Sequence, residues 1–184
     1  QTSLADCAHD EKLDIVRGDA RNRELVARLL RGKDYVFPLA CIVGAPACDT
    51  DPVAAQTINL EAIQLIIKLR EPSQKIIFPN SNSGYGRMAE GVAHCDETSP
   101  LDPVSLYGKL KVQAEKELFE AGNAVVFRLA TVFGASPRMR MDLLVNDFVH
   151  RAVTDGVVVL FEANFKRNYI HVRDVARAFM HAMD

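Results

Sequence analysis

Lys75-Ile76-Ile77-Phe78-Pro79-Asn80-Ser81-Asn82-Ser83-Gly84-Tyr85-Gly86 decides how this chain is read. The first four residues are a short apolar run, as expected for a strand buried on both faces. The next eight have turn chemistry. Strand and helix patterns alternate outward from this point. Toward the N-terminus come a helix over Ala54–Leu69, stopped by Pro72, and a continuous apolar strand over Tyr35–Ala40. A loop with Gly44, Pro46 and Pro52 lies between them. Before these come a helix over Arg21–Leu30 and a strand at Leu13–Val16. Toward the C-terminus a long polar loop with Pro100 and Pro103 leads to a helix over Ser105–Ala121. A strand at Ala124–Leu129 follows, closed by Gly134 and Pro137. Then come a helix over Met141–Val153, a strand at Val157–Phe161, an extended piece at Tyr169–Val172 and a helix over Val175–Met183. This alternation predicts an α/β fold, a doubly wound Rossmann-type parallel sheet. In such sheets the loops after the strand C-termini build the site, here those after Ala40, Phe78 and Leu129.

The chain has 184 residues, enough for a domain with a real core, and a formal net charge of −2. No basic run stands out, so a nucleic-acid surface is not expected. No apolar run approaches a membrane span, and the polar opening Gln1–Lys12 is not a signal peptide. The four cysteines, Cys7, Cys41, Cys48 and Cys95, form no metal-ligand spacing. They read as reduced thiols of a cytoplasmic protein, and no metal is expected.

A doubly wound nucleotide-binding domain opens with a strand, a glycine-rich turn and a helix whose N-terminus holds a pyrophosphate. No G-x-x-G-x-x-G or G-x-G-x-x-G occurs in this sequence. The reading is that the first β-α-β is missing, and that the C-terminal lobe is cut short after Met183-Asp184.

Tyr107 and Lys111 are four apart on a predicted helix, hence on one face and one turn apart. An ammonium beside a phenol favours the phenolate, which can then move a proton at a hydroxyl or carbonyl. Taken alone, such a pair is more often an exposed helix face, and Lys109 and Lys116 show that this helix carries surface lysines. Ser81 in the earlier loop can donate a hydrogen bond to the oxygen on which Tyr107 acts, with Asn80 and Ser83 as further polar groups. That loop taken alone reads as a plain Asn/Ser turn.

Together these segments resemble the extended short-chain dehydrogenases/reductases, the nucleotide-sugar epimerase/dehydratase family. Ile76–Gly86 is similar to the family's Ser-Ser-x-x-x-Tyr-Gly segment, with Ser81 on the catalytic Ser/Thr, and Tyr107-x-x-x-Lys111 follows in order. Gly18-Asp19-Ala20-Arg21 resembles the segment whose aspartate contacts adenine. Leu39-Ala40 is similar to the His-Leu-Ala strand end along the cofactor, with Pro38 replacing the histidine. Asn59 matches the asparagine of Asn-Val-x-Gly-Thr. Arg128–Gly134 resembles Arg-x-x-Asn-Val-Tyr-Gly, and Arg167–Ala176 resembles Arg-Asp-Phe-Ile-His-Val-Asp-Asp-Val-Ala.

The resemblance implies a bound NAD, with NADP as the alternative, and a nucleotide-sugar substrate. It makes Ser81, Tyr107 and Lys111 catalytic. It gives Asp19, Ala20, Leu39, Ala40, Asn59, Tyr107 and Lys111 to the cofactor and Ser83, Thr131, Arg140 and Arg167 to the substrate. Arg167 falls where the family grips the diphosphate, a role suited to a bidentate guanidinium. Residues 1–135 are expected to form the cofactor domain and 136–184 part of a substrate lobe interleaved with the last Rossmann elements. A homodimer is implied through the helices at Ala54–Leu69 and Ser105–Ala121. Asn82 and Ser83 replace the Asp-Glu pair of the 4,6-dehydratases, and Ser83 replaces the cysteine of the 3,5-epimerases. Transient oxidation at one sugar carbon, as in a 4-epimerase, is the reaction left. A keto-sugar reductase, a decarboxylase and a non-catalytic sugar-nucleotide sensor are the alternatives. Without a glycine-rich turn the chain alone is expected to be inactive.

Overall fold

Strand β2, Lys75–Ser81, is the centre of a three-stranded parallel sheet, between β1 (Tyr35–Val36) and β3 (Ala124–Leu129). Ile76 and Ile77 are fully buried and Phe78 nearly so, as a strand covered on both faces requires. The register places Val36 opposite Ile76, Phe78 opposite Val126 and Asn80 opposite Arg128. The structure, a computed structural model, describes residues 4, 7–87, 94–161 and 163–184. The 88–93 part of the predicted polar loop lies outside the described residues.

The chain divides into two units, and β2 belongs to the one formed by Gly18–Leu129 with Met183. Its first helix, α1 (Arg23–Leu30), is capped by the Asn22 side chain, which accepts from the Leu25 amide at 3.0 Å. The buried Gln74 amide closes the other end, donating to the Leu30 and Lys33 carbonyls, each at 2.6 Å. Helices α2 (Ala45–Thr50) and α3 (Pro52–Gln56) follow β1. A π-helical turn at Thr57–Glu61 then leads into α4 (Ala62–Leu69). Helix α5 (Leu106–Ala121) begins at Ser105, whose hydroxyl accepts from the Gly108 amide at 3.1 Å. It packs on β2, β3, the π-helical turn and α4. Its buried face is Tyr107, Gly108, Leu110, Lys111, Ala114, Glu115 and Leu118, a helical repeat with two charged residues in it. That departure from an apolar stripe marks the site.

The other unit holds Ala130–Ala182 and the described residues before Gly18. It contains a two-stranded parallel sheet of β4 (Thr131–Phe133) and β5 (Tyr169–His171), with helices α6 (Leu144–Thr154) and α7 (Val172–His181). The His171 ring caps α7, accepting from the Arg173 amide at 3.2 Å, and stands edge-on to Phe133.

Several sequence expectations are corrected. Leu13–Val16 and Val157–Phe161 form no strand: Ile15 is 51% and Phe161 87% exposed. A strand exists through its partners, and among the described residues neither run has a ladder to join. The run at Tyr35–Ala40 is a ladder only at Tyr35–Val36, since Pro38 has no N–H to donate. The region read as a loop around Pro46 and Pro52 is helical, because each proline sits in a first turn, where no amide is needed. Strand β2 continues through Ser81 before the turn begins. No helix of the described residues is long and apolar enough to cross a membrane.

Candidate active site

The end of β2 carries Ser81 onto α5. Ser81 caps a 3₁₀ turn at Asn82–Gly84: its Oγ accepts from the Ser83 amide at 3.2 Å and lies 3.0 Å from Ser83 Oγ. This turn rests on α5 where glycines let two backbones meet. A Cβ on Gly108 would lie 3.0 Å from the Ser83 carbonyl oxygen, and one on Gly84 would lie 2.9 Å from Val112 Cγ2. Gly108 and Val112 each follow one residue after Tyr107 and Lys111, so the serine turn docks beside that tyrosine–lysine turn.

Lys111 returns the contact. Its ammonium donates to the Pro79 carbonyl at 2.9 Å and lies 4.1 Å from the centre of the Phe78 ring. The residue is 4% exposed. Burial holds its pKa below the ordinary lysine value, with the nearby Cys41 acting weakly the other way. Among the described residues no carboxylate lies within ion-pair distance of it. Two N–H donors of a desolvated ammonium therefore remain for neutral acceptors such as sugar hydroxyls. Tyr107 is buried with Phe78 in the main core cluster.

The other assigned positions fare differently. Asn59, 2% exposed, spends its amide on a backbone clamp: Oδ1 accepts from Ile42 N at 2.8 Å and Nδ2 donates to Ile42 O at 2.9 Å. It fixes the loop that follows Leu39 and Ala40, both of which are exposed. The π-helical turn is what aims it there. Asp19 and Ala20 precede α1. The Asp19 carboxylate takes Arg21 Nε at 2.9 Å and Nη2 at 2.6 Å, while Arg21 Nη1 reaches Thr57 Oγ1 at 3.2 Å. Hydrogen bonds from Arg21 hold the Asp19 carboxyl down at about 2. Arg21→Ala is therefore expected to return the Asp19 titration, followed by carboxyl NMR, toward the ordinary value of about 3.9. An unmoved titration would rule out the pairing.

Thr131, Arg140 and Arg167 belong to the other unit. Thr131 opens β4 opposite Tyr169. Arg140 Nε donates to Asp142 Oδ1 at 3.0 Å, and its Nη2 pairs with Oδ2, so much of that guanidinium is engaged. Arg167 is exposed just before β5 and makes no ion pair among the described residues.

A buried ion pair that the sequence pattern does not announce lies behind the serine turn. Arg128 Nη2 lies 2.6 Å from Glu115 Oε1, with the carboxylate side chain 4% exposed. Hydrogen bonds that Arg128 donates to this carboxylate hold the Arg128 pKa above its ordinary value. Glu115 four residues after Lys111, and an arginine inside the run Val125–Leu129, were the available signals. A cavity of about 390 Å³ borders this pair and is lined by Leu101, Val112 and Phe119, with neither Ser81 nor Tyr107 in its wall.

The sequence model of the NAD dependent epimerase/dehydratase family matches residues 1–184. Solved structures of similar fold include UDP-glucuronic acid 4-epimerase from Bacillus cereus with UDP-glucuronic acid and NAD. That match has a TM-score of 0.81 at 23% identity, covering 98% of this chain and 59% of that one. UDP-glucose 4-epimerase from Thermotoga maritima with UDP-glucose has a TM-score of 0.81 at 24% identity, covering 92% and 58%. MoeE5 in complex with UDP-glucose and NAD has a TM-score of 0.76 at 27% identity, again covering 92% and 58%. The chain thus spans less than two thirds of the length of each.

Proposed function

Because the chain belongs to the NAD-dependent epimerase/dehydratase family, we propose that it is the catalytic part of a nucleotide-sugar epimerase that transiently oxidises one sugar carbon, C4. The observation that carries this reading is the docking of the Ser81 turn on the tyrosine–lysine turn of α5, through Gly108 against the Ser83 carbonyl. The Lys111 bond to Pro79 supports it from the other side. In this reading Tyr107 takes the proton from the sugar hydroxyl and later returns it to the same oxygen. Ser81 donates a hydrogen bond to that oxygen. Lys111 favours the phenolate by its charge and offers its spare N–H donors to ribose hydroxyls.

The residues present fit NAD on the ribose side, because a buried ammonium without a carboxylate partner suits neutral hydroxyl acceptors. Lys111 and Tyr107 would hold that end, and Asp19, Ala20, Leu39 and Ala40 the rest, with Asn59 bracing the loop. NAD, when bound there, would supply reversible hydride chemistry at the sugar carbon. Arg167, unpaired by any described carboxylate, would take the diphosphate of the sugar nucleotide, with Arg140, Thr131 and Ser83 as further substrate contacts. In this reading residues 1–135 are the cofactor-binding part and 136–184 the substrate lobe, bounds that differ from the two compact units, where the described residues before Gly18 and residues 130–135 group with the lobe.

The test uses the intact protein with NAD and a panel of UDP- and dTDP-hexoses, followed by reduced-nicotinamide absorbance and product analysis. A transient absorbance rise with an epimerised product and no net cofactor turnover is expected. Stoichiometric consumption of reduced cofactor would make the protein a reductase instead. Binding of sugar nucleotide with no conversion across the panel would make it a sensor.

A further inference from the structure

The segment Asn80–Tyr85, which contains both candidate serines, is anchored at its two ends by one ion pair. At the first end Asn80 Nδ2 donates to Glu115 Oε2 and also reaches the Lys111 carbonyl oxygen at 3.4 Å. At the second end Arg128 Nη1 donates to Tyr85 Oη at 3.2 Å, and the guanidinium lies 5.1 Å from the centre of the Tyr85 ring. Tyr85 Oη in turn donates to the Asp96 carbonyl at 2.9 Å, while Arg128 Nη1 also reaches the Glu97 carbonyl at 3.2 Å. Glu115 and Arg128 close the frame, with Arg128 Nε 3.0 Å from Glu115 Oε1. Glu115 is one turn after Lys111 and two turns after Tyr107 on α5, and Arg128 faces Asn80 across the β2–β3 ladder.

Stability alone does not call for charges here. A buried ion pair is commonly matched by apolar residues of similar volume, because desolvation offsets the attraction. This pair is also held at a cost, since Asn80 turns its amide nitrogen to Glu115 and Lys111 and leaves its Oδ1 buried with no partner among the described residues. What apolar residues would not supply is directed hydrogen bonding to both ends of one short segment.

We propose that Glu115 and Arg128 are positioning residues, which fix the Ser81 segment in register with the Tyr107–Lys111 turn. The inference rests on the reading of Ser81 and Tyr107 given under Proposed function. Neither residue touches the reacting atoms; each acts through Asn80 or Tyr85.

The test compares Glu115→Gln and Tyr85→Phe with the wild-type intact protein. Glu115→Gln removes the charge but keeps an acceptor for Asn80. Tyr85→Phe removes one hydroxyl and keeps the ring, so it reports even where Glu115→Gln does not fold. Hydrogen exchange of residues 79–86 is expected to speed up by about tenfold, with Ile76–Phe78 unchanged. Turnover of nucleotide sugar is expected to fall about 10- to 100-fold in kcat with KM nearly constant, because a misplaced group costs rate rather than binding. Unchanged exchange at 79–86 in Tyr85→Phe overturns the proposal. So does faster exchange spread evenly over β2 and α5, or a loss carried by KM alone. Ser81→Ala separates the two levels. If that variant turns over like wild type, the role given to Ser81 fails, and the exchange data still decide whether the ion pair clamps the segment.

Discussion

Tyr107→Phe is expected to lower turnover of nucleotide sugar by about 10²- to 10⁴-fold in the intact protein, the range for losing a positioned proton carrier. Tyr107 is 8% exposed and belongs to the cluster that includes Phe78, Leu110 and Ala114. Phenylalanine keeps that packing and the start of α5, which depends on Ser105 rather than on the phenol. The thermal midpoint should therefore shift by no more than the loss of one hydrogen bond implies, about 1 kcal/mol. Steady-state kinetics and thermal unfolding of the same preparation check both halves. Turnover close to wild type would remove Tyr107 from the proton path. A collapse of stability in step with activity would make it a core residue only.

Local chemistry was legible wherever one segment specified its own structure. Ile76–Phe78 is apolar on both faces and lies in the central strand, and Ser105 followed by a long helical repeat opens α5. The tyrosine–lysine spacing also needed only one helix. What could not be read was anything set by a partner. Leu13–Val16 has the composition of a strand, yet among the described residues it has no ladder to join. Pro46 and Pro52 read as loop residues in the sequence, because a proline's position in a helix, first turn or interior, depends on what surrounds it. The Glu115–Arg128 pair was hidden for the same reason. Glutamate on a helix is usually solvated, and its burial follows from where β3 and the Ser81 turn pack.

The same burial gives Lys111→Met an effect that separates function from stability. Turnover is expected to fall by about 10²- to 10³-fold, because the charge that favours the Tyr107 phenolate is gone. Stability should not follow. Lys111 is 4% exposed and burial depresses its pKa, so in the folded chain the charged form is disfavoured relative to water. Methionine fills similar space over Phe78 without that desolvation, against the loss of the 2.9 Å bond to Pro79. The sign with pH is fixed by the depressed value. Between the folded pKa and the unfolded one, about 10.4, the unfolded chain binds more protons than the folded chain. Wild-type stability must therefore rise with pH across that window, and this contribution must vanish in Lys111→Met. Denaturant unfolding of both proteins at a series of alkaline pH values measures the difference. Parallel curves would mean that Lys111 is solvated in solution, with no desolvated donors held for a ribose.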